Sequence, residues 1–477
     1  MAERRLDVLI DVMRIPAEGD VRAALVGTRD ARPAETLECD LVVVGGGTGG
    51  VAAALAATQA GKRVCLLEET DWIGGQLTSQ GVSALDEHEH IERFGGTASY
   101  YRLREAIRDR YRPLARDPSA LDPFNPGHCW VTRLAFEPRM AVGVMQEMLR
   151  PAVEQGLLRV LLRHKVFAAE TAGGRIGSVT ALSLADGSCR RLAGSHFVDA
   201  TELGELLPLT GTDFVIGAES QAQTGEAHAQ PEEPKARCVQ SFTYILGVER
   251  RPRGEHHLIP APTDYETYRQ TQPYSLTIEV HGGEIYGEES GWLAYRLYDR
   301  MPGTKGGLWD YRRLVDASHF PSYEHDLTIL NWPGNDYRDS SILEGTPEEV
   351  ARGLQAAKRV SLGFLRWLQV EGPATGTQQG APEIALQPAI MGSDDGLSKY
   401  PYIRESRRIQ ALKTVVEEEV SAHFQAGPRA AHFADSVGIG SSGSSVSTAF
   451  SRPGFAVADR RAPCCGAVHP CSRRRGR

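Results

Sequence analysis

No Cys-x-x-Cys or Cys-x4-Cys pair occurs in the first 440 residues. Cys39, Cys65, Cys129, Cys189 and Cys238 stand singly. That spacing excludes a vicinal redox dithiol and a thiolate-held iron–sulfur cluster, and it predicts reduced thiols. Cys464, Cys465, His469 and Cys471 crowd together near the end, but in an arginine-rich setting without metal-ligand spacing, so no metal site is read. Long apolar runs are missing too. The strongest, at residues 41–44, is brief and empties into glycines, which excludes a bilayer-spanning helix. Nor is positive charge in excess: 53 Lys and Arg face 61 Asp and Glu, a formal net charge of −8 that argues against nucleic acid or an anionic membrane as partner. The first residues are charged throughout and lack the apolar core and cleavage site of a secretory signal, so a cytoplasmic protein is expected.

What is present is ordinary globular composition, 41% hydrophobic and 24% charged, over a length that suits two or three domain-sized units. The apolar residues 41–44 feed a Gly-x-Gly-x-x-Gly turn at Gly45, Gly47 and Gly50, followed by a small-residue helix predicted over 51–60 and a second strand over 63–67. Such a turn cradles a dinucleotide pyrophosphate: the glycines permit a tight turn and close backbone approach, and the helix points its positive end at the ligand. Glu68 follows at about the separation expected of a ribose-binding acid, roughly 20 residues, and would repel a 2′-phosphate. Gly74 and Gly75 come next and offer backbone amides where a nicotinamide-only domain would run into another crossover helix. No second strand-bounded glycine fingerprint appears downstream.

Further motifs sharpen the reading. Residues 195–211, with Asp199, Ala200 and Thr201 in the place of an Ala-Thr-Gly element, look like a strand returning to a flavin domain. Together with residues 125–138, 331–337 and 402–409, they resemble the bacterial FAD-dependent oxidoreductase family related to the flavin subunit of heterodisulfide reductase. The resemblance covers about residues 40–440. It implies an α/β fold: a glutathione-reductase-like, Rossmann-like FAD-binding domain of three layers, with a central parallel sheet plus a β-meander and an inserted α+β substrate domain. It implies FAD as cofactor, held by Gly45, Gly47, Thr48, Gly49, Gly50, Glu68, Glu69, Gly74, Gly75, Gln76, Thr78, Val166, Ala200 and Thr201, with the backbone near Val166 facing the adenine. The substrate is left open, and nothing indicates an oligomeric state.

The expected organisation is an N-terminal extension (1–38), the FAD-binding domain (39–210), the inserted domain (211–394), a return segment (395–440) and a low-complexity tail (441–477). Helices are predicted near 91–111 and 138–155, the latter with Met140, Val144, Met148 and Leu149 as its apolar stripe, and residues 157–162 and 165–170 read as one strand and its continuation. Thr346, Pro347 and Glu349 mark the start of a long one-faced helix. Aromatic residues of the insert, among them Trp292, Trp309, Trp332 and Trp367, could wall a substrate cavity or simply pack. For proton handling the candidates are His128, Cys129, Glu202, Tyr337 and Arg404, none assigned as catalytic. The resemblance stops near Gly440, and the Ser- and Arg-rich tail reads as a shifted frame, a truncated product or a disordered basic tail. Two functions follow: an FAD-dependent oxidoreductase passing a hydride or electrons between a small organic substrate and the flavin, or a non-catalytic fragment of one that retains at most dinucleotide binding.

Overall fold

Strands that are apolar on both faces are stable only inside a sheet covered on both sides. The computed structural model describes residues 2–436 except 89, 281–290, 422–423 and 428–429, and it places the two apolar runs near the centre of a seven-stranded sheet. In chain order come β1 (Ala2–Arg5), a hairpin of β2 (Val8–Ile10) and β3 (Leu25–Gly27), β4 (Glu35–Val44), helix α1 (Thr48–Gln59) and β5 (Val64–Glu68). Helices α2 (Ala98–Tyr111) and α3 (Pro138–Glu154) follow, then β6 (Leu158–Leu162) and a meander of β7 (His164–Ala172), β8 (Arg175–Ser183) and β9 (Cys189–Asp199). The sheet order is β1-β7-β8-β9-β4-β5-β6, with β9, β4, β5 and β6 parallel and the meander antiparallel.

Alternation along the strands builds three layers. Val43 and Leu66 face α1, α2 and α3, whereas Val42, Val44 and Leu67 pack with Val166, Val179, Leu206 and Leu209 on the other face. This is an α/β Rossmann-like fold. Val44, Glu68 and Asp199 end three neighbouring parallel strands side by side, and there the chain leaves in opposite directions, the usual place for a ligand crevice.

Four local readings change. Helix α1 starts at Thr48 rather than near 51, because Gly47 serves as its N-cap. Helix α2 starts at Ala98, where the Thr97 hydroxyl accepts from the Tyr100 amide. Strands β6 and β7 are not one strand and its continuation: Arg163 takes a left-handed turn (φ 58°) between them, and β7 pairs with β8 far from β6. The predicted reduced thiols fail at two positions. Cys39 and Cys65 lie on adjacent strands with Cα atoms 6.1 Å apart and form a disulfide, a pairing across a sheet that spacing along the chain does not reveal. Cys129, Cys189 and Cys238 are free.

The N-terminal residues touch both the large sheet and the long helix Pro347–Val370. β1 extends the sheet beyond β7, and β4 already begins at Glu35. The fully buried Asp11 receives Arg163 from the β6–β7 turn at 3.0 Å. Carbonyls of Pro16 and Gly19 accept from Gln355, and that of Ala17 from Arg359, on the helix Pro347–Val370.

That helix begins with the expected capping box and buries Leu354, Ala357, Leu365 and Leu368. It packs with an antiparallel sheet ordered Arg313–Val315, Leu327–Leu330, Leu246–Arg250, Ile384–Leu386. Trp309 and Trp332 belong to this core, Trp367 stacks on Phe364, and Trp292 is exposed; none lines either cleft described below. No described helix is long and apolar enough to cross a membrane. Gly282, Gly283 and the tail, with Cys464, Cys465, His469 and Cys471, lie outside the described residues.

Candidate active site

At the strand ends the glycine turn is folded tightly enough to exclude side chains at Gly45 and Gly50. Gly45 has φ +101°, and a Cβ there would come within 2.2 Å of the Ala200 carbonyl; one at Gly50 would come within 2.0 Å of the Gly45 carbonyl. The Gly74 amide donates to the Gly46 carbonyl at 2.7 Å and the Thr48 hydroxyl to the Gly74 carbonyl at 2.9 Å, so the two glycine pairs form one unit over the start of α1. Thr48 and Gly49 are exposed at that helix start.

Beside this unit opens a cleft. Of the sequence-predicted residues, Gly45, Glu68, Glu69, Val166, Ala200 and Thr201 line it. Glu68 is buried: one carboxylate oxygen accepts from the Gly46 amide at 2.8 Å, the other from the Thr70 amide at 2.8 Å and hydroxyl at 2.7 Å. A carboxylate has about four acceptor directions, so Glu68 splints the turn and keeps one free for a ligand hydroxyl. Burial pushes its carboxyl up despite those bonds. Two predicted residues are otherwise occupied. The Thr78 hydroxyl donates to the Ile73 carbonyl at 2.7 Å behind Gly74, and that of Thr201 to Asp199 at 2.7 Å. Gln76 is half-buried and caps Val82 with its carbonyl.

Sequence reasoning missed the charged floor of the cleft. Lys165 donates to Glu69 at 2.7 Å and approaches Glu205 at 3.1 Å. One ammonium balances one carboxylate, so burial and the Glu205 charge lift Glu69 to about 8, while the two acids keep Lys165 protonated. His164, Ser79 and Tyr400 also line the cleft. A lysine at the head of the apolar run 166–169 in β7 was the available signal.

Glu202 faces the glycine unit itself. Its carboxyl lies within 3 Å of where Cβ atoms of Gly47 and Gly75 would stand. Burial, with the Glu68 charge nearby, raises it to about 7.

The other proton-handling candidates separate. Cys129 is a buried thiol pushed up by burial, beside the Asn125 amide and Thr132 carbonyl. His128 is exposed near Asp316. Tyr337 and Arg404 meet at a second cleft, with Arg237, Phe242, Ile342, Leu343, Ile403 and Glu405. Arg404 is tied to Asp336 at 3.0 Å, the Thr243 hydroxyl at 3.0 Å and the Ser241 carbonyl at 2.9 Å. One segment serves both clefts: Tyr400 lines the first, Ile403 and Arg404 the second, and the Ile403 amide donates to Gln80.

The FAD dependent oxidoreductase family model matches residues 40–444. The chain belongs to that family, and FAD is its cofactor. No curated protein sequence matches it. Among solved structures, p-nitrophenol 4-monooxygenase PnpA from Pseudomonas putida DLL-E4 is 15% identical over 80% of this chain and 72% of that one, with a TM-score of 0.30. THI4 from Thermovibrio ammonificans is 17% identical over 38% and 67%, with a TM-score of 0.23. L-proline dehydrogenase from P. horikoshii is 16% identical over 38% and 24%, with a TM-score of 0.20. The match spans less than half of the first three solved structures, 24%, 46% and 40% of their lengths, and nothing about this chain's chemistry follows from such likenesses.

Proposed function

We propose that this flavoprotein passes a hydride or electrons between a small organic substrate and FAD. The carrying observation is the glycine unit at the ends of β4, β5 and β9, whose tight packing leaves backbone amides, with the Glu202 carboxyl beside them, to meet a diphosphate. In this reading Gly45, Gly47, Thr48, Gly49 and Gly50 hold the diphosphate at the start of α1, and Glu68 takes a ribose hydroxyl with its remaining acceptor direction. The Val166 backbone faces the adenine, Glu69, Ala200 and Thr201 wall the same cleft, and Gly74, Gly75, Gln76 and Thr78 shape the path toward the ring. A bound isoalloxazine supplies the electron-accepting centre. The second cleft is the substrate site, because residues 400–404 run between the two and its wall joins apolar Phe242, Ile342 and Leu343 to charged Arg237, Arg404 and Glu405.

The glutathione-reductase-like layout, the domain division given above and a cytoplasmic location belong to the same proposal. A second reading is a non-catalytic fragment of such an enzyme, retaining at most dinucleotide binding.

Visible absorption after gel filtration separates the two. Flavin bands that travel with the protein, disappear in Gly45→Ala and bleach anaerobically with a substrate support the oxidoreductase. Folded but colourless protein, or flavin that no substrate bleaches, supports the fragment. Flavin binding untouched by Gly45→Ala overturns the placement of the diphosphate.

A further inference from the structure

Away from both clefts, two histidines and an aspartate converge from distant parts of the chain. The His128 Nδ1 lies 3.7 Å from the Asp316 Oδ2, the His319 Nε2 lies 4.0 Å from the same oxygen, and one donor atom from each residue lies within 4.8 Å of the others. We propose that His128, Asp316 and His319 form a binding site for a divalent transition-metal ion of the Zn(II), Co(II) or Ni(II) kind.

Donor chemistry selects that class. Two imidazole nitrogens and one carboxylate oxygen suit borderline ions, whereas Ca(II) and Mg(II) favour oxygen ligands and Cu(I) favours sulfur. Spacing agrees. Bonds of about 2.0–2.1 Å at tetrahedral angles put neighbouring donor atoms about 3.3 Å apart. The two His–Asp pairs need to close by only about half an ångström, and the two rings by about 1.5 Å at most. The His128 side chain is 66% exposed, so its ring is free to turn inward.

The backbone around the three residues is fixed without an ion. His128 has φ 44°, unusual for a residue with a side chain, and its amide closes a turn on the Asn125 carbonyl at 2.9 Å. That turn is fastened to the Asp316 segment: the Arg313 Nε donates to the Gly127 carbonyl at 2.8 Å and the Asp316 amide to the Pro126 carbonyl at 2.9 Å. His319 sits one 3-10 turn beyond Asp316, its amide on the Asp316 carbonyl at 3.0 Å. Asp316 is held as well. One oxygen accepts from the Ser318 amide and hydroxyl, and the other accepts from Arg313 at 2.8 Å while keeping a second acceptor direction. Supporting hydrogen bonds of this kind orient metal ligands.

Charge favours a cation. Arg313 pairs with Asp310, Asp316 and Asp326, at 3.2, 2.8 and 3.2 Å, and Arg250 also acts on Asp310, so among the described residues three carboxylates face two guanidinium groups. A bound dication would offset the surplus and cross-link the 125–128 turn to the 313–319 segment. With three protein ligands, the remaining coordination is left to water or an exogenous group.

The test uses the full chain, stripped with chelator and dialysed against Zn(II), with calorimetric titration of Ni(II) in parallel. His128→Asn keeps a residue that tolerates the left-handed turn, and His319→Gln keeps a polar side chain. The unsubstituted chain should take up one ion more than the double variant, and each single variant should bind at least about tenfold more weakly. In the unsubstituted chain, Zn(II) should also protect His128 and His319 from diethyl pyrocarbonate, read by peptide mass mapping. Equal uptake by the double variant, no uptake at about 100 µM metal, or no protection of the two histidines would overturn the site.

Discussion

Glu202 sets a carboxyl against the faces of Gly47 and Gly75, where a diphosphate would have to come. Ionised, that carboxyl repels the diphosphate; protonated, it does not. Because burial places its titration near 7, FAD affinity should be highest below that pH and fall as pH rises through it, by up to about tenfold per unit for one linked proton. Fluorescence titration of the apoprotein from pH 5.5 to 8.5 reads the slope. In Glu202→Gln the slope should flatten and binding at the alkaline end should strengthen. An unchanged slope would remove Glu202 from the cradle. Glu68 was visible from its distance to the glycine turn, since a parallel strand of fixed rise carries it there. Glu202 stood out only as a proton-handling candidate and Glu205 and Lys165 not at all, because separate chain segments must meet before these residues share a cleft.

At the scale of elements, α2 shows how a charged stretch can be scaffold. Arg104 is nearly fully buried and pairs with Glu87 and Glu92 at 2.7 Å, while Arg108 reaches Glu92 at 2.7 Å. Burial alone would raise Glu92, but the two guanidinium groups hold it down to about 2. A depressed carboxylate gives stability that is complete above its unfolded value, about 4.3, and lost as pH falls toward 2. Glu92→Gln should therefore cost about 2 kcal/mol at neutral pH and nearly nothing near pH 2, measured by urea denaturation at both. The disulfide belongs to this scale too. Denatured protein should yield two more titratable thiols after reduction than before, and reduction should destabilise the fold by about 3 kcal/mol for a loop of this size. Disulfides persist in oxidising compartments, so the pair sits against the proposed cytoplasmic location.

Across the whole molecule, the N-terminal segment fastens the nucleotide sheet to the long helix of the second core. β1 joins the sheet edge, Asp11 holds Arg163, which also donates to the Glu69 carbonyl, and the carbonyls of residues 16, 17 and 19 meet Gln355 and Arg359. Asp11→Ala leaves a largely buried guanidinium without its carboxylate and should destabilise the protein by about 3 kcal/mol. The effect should appear in the unfolding of both cores when followed by tryptophan emission and by flavin release. Loss of flavin alone, with the second core unmoved, would show that the segment serves only the sheet.

The sequence by itself determined the parallel strands, the glycine turn, the capped long helix and the choice of a dinucleotide, because each rests on local periodicity or on backbone freedom at named glycines. It also carried the family. Tertiary structure decided the rest: that Cys39 meets Cys65, that Arg163 turns the meander away from β6, that Trp309, Trp332 and Trp367 pack rather than line a cleft, and that Glu202 and Lys165 charge the cofactor's place. Each of these depends on residues brought together by strand order and layer packing, which no spacing along the chain records.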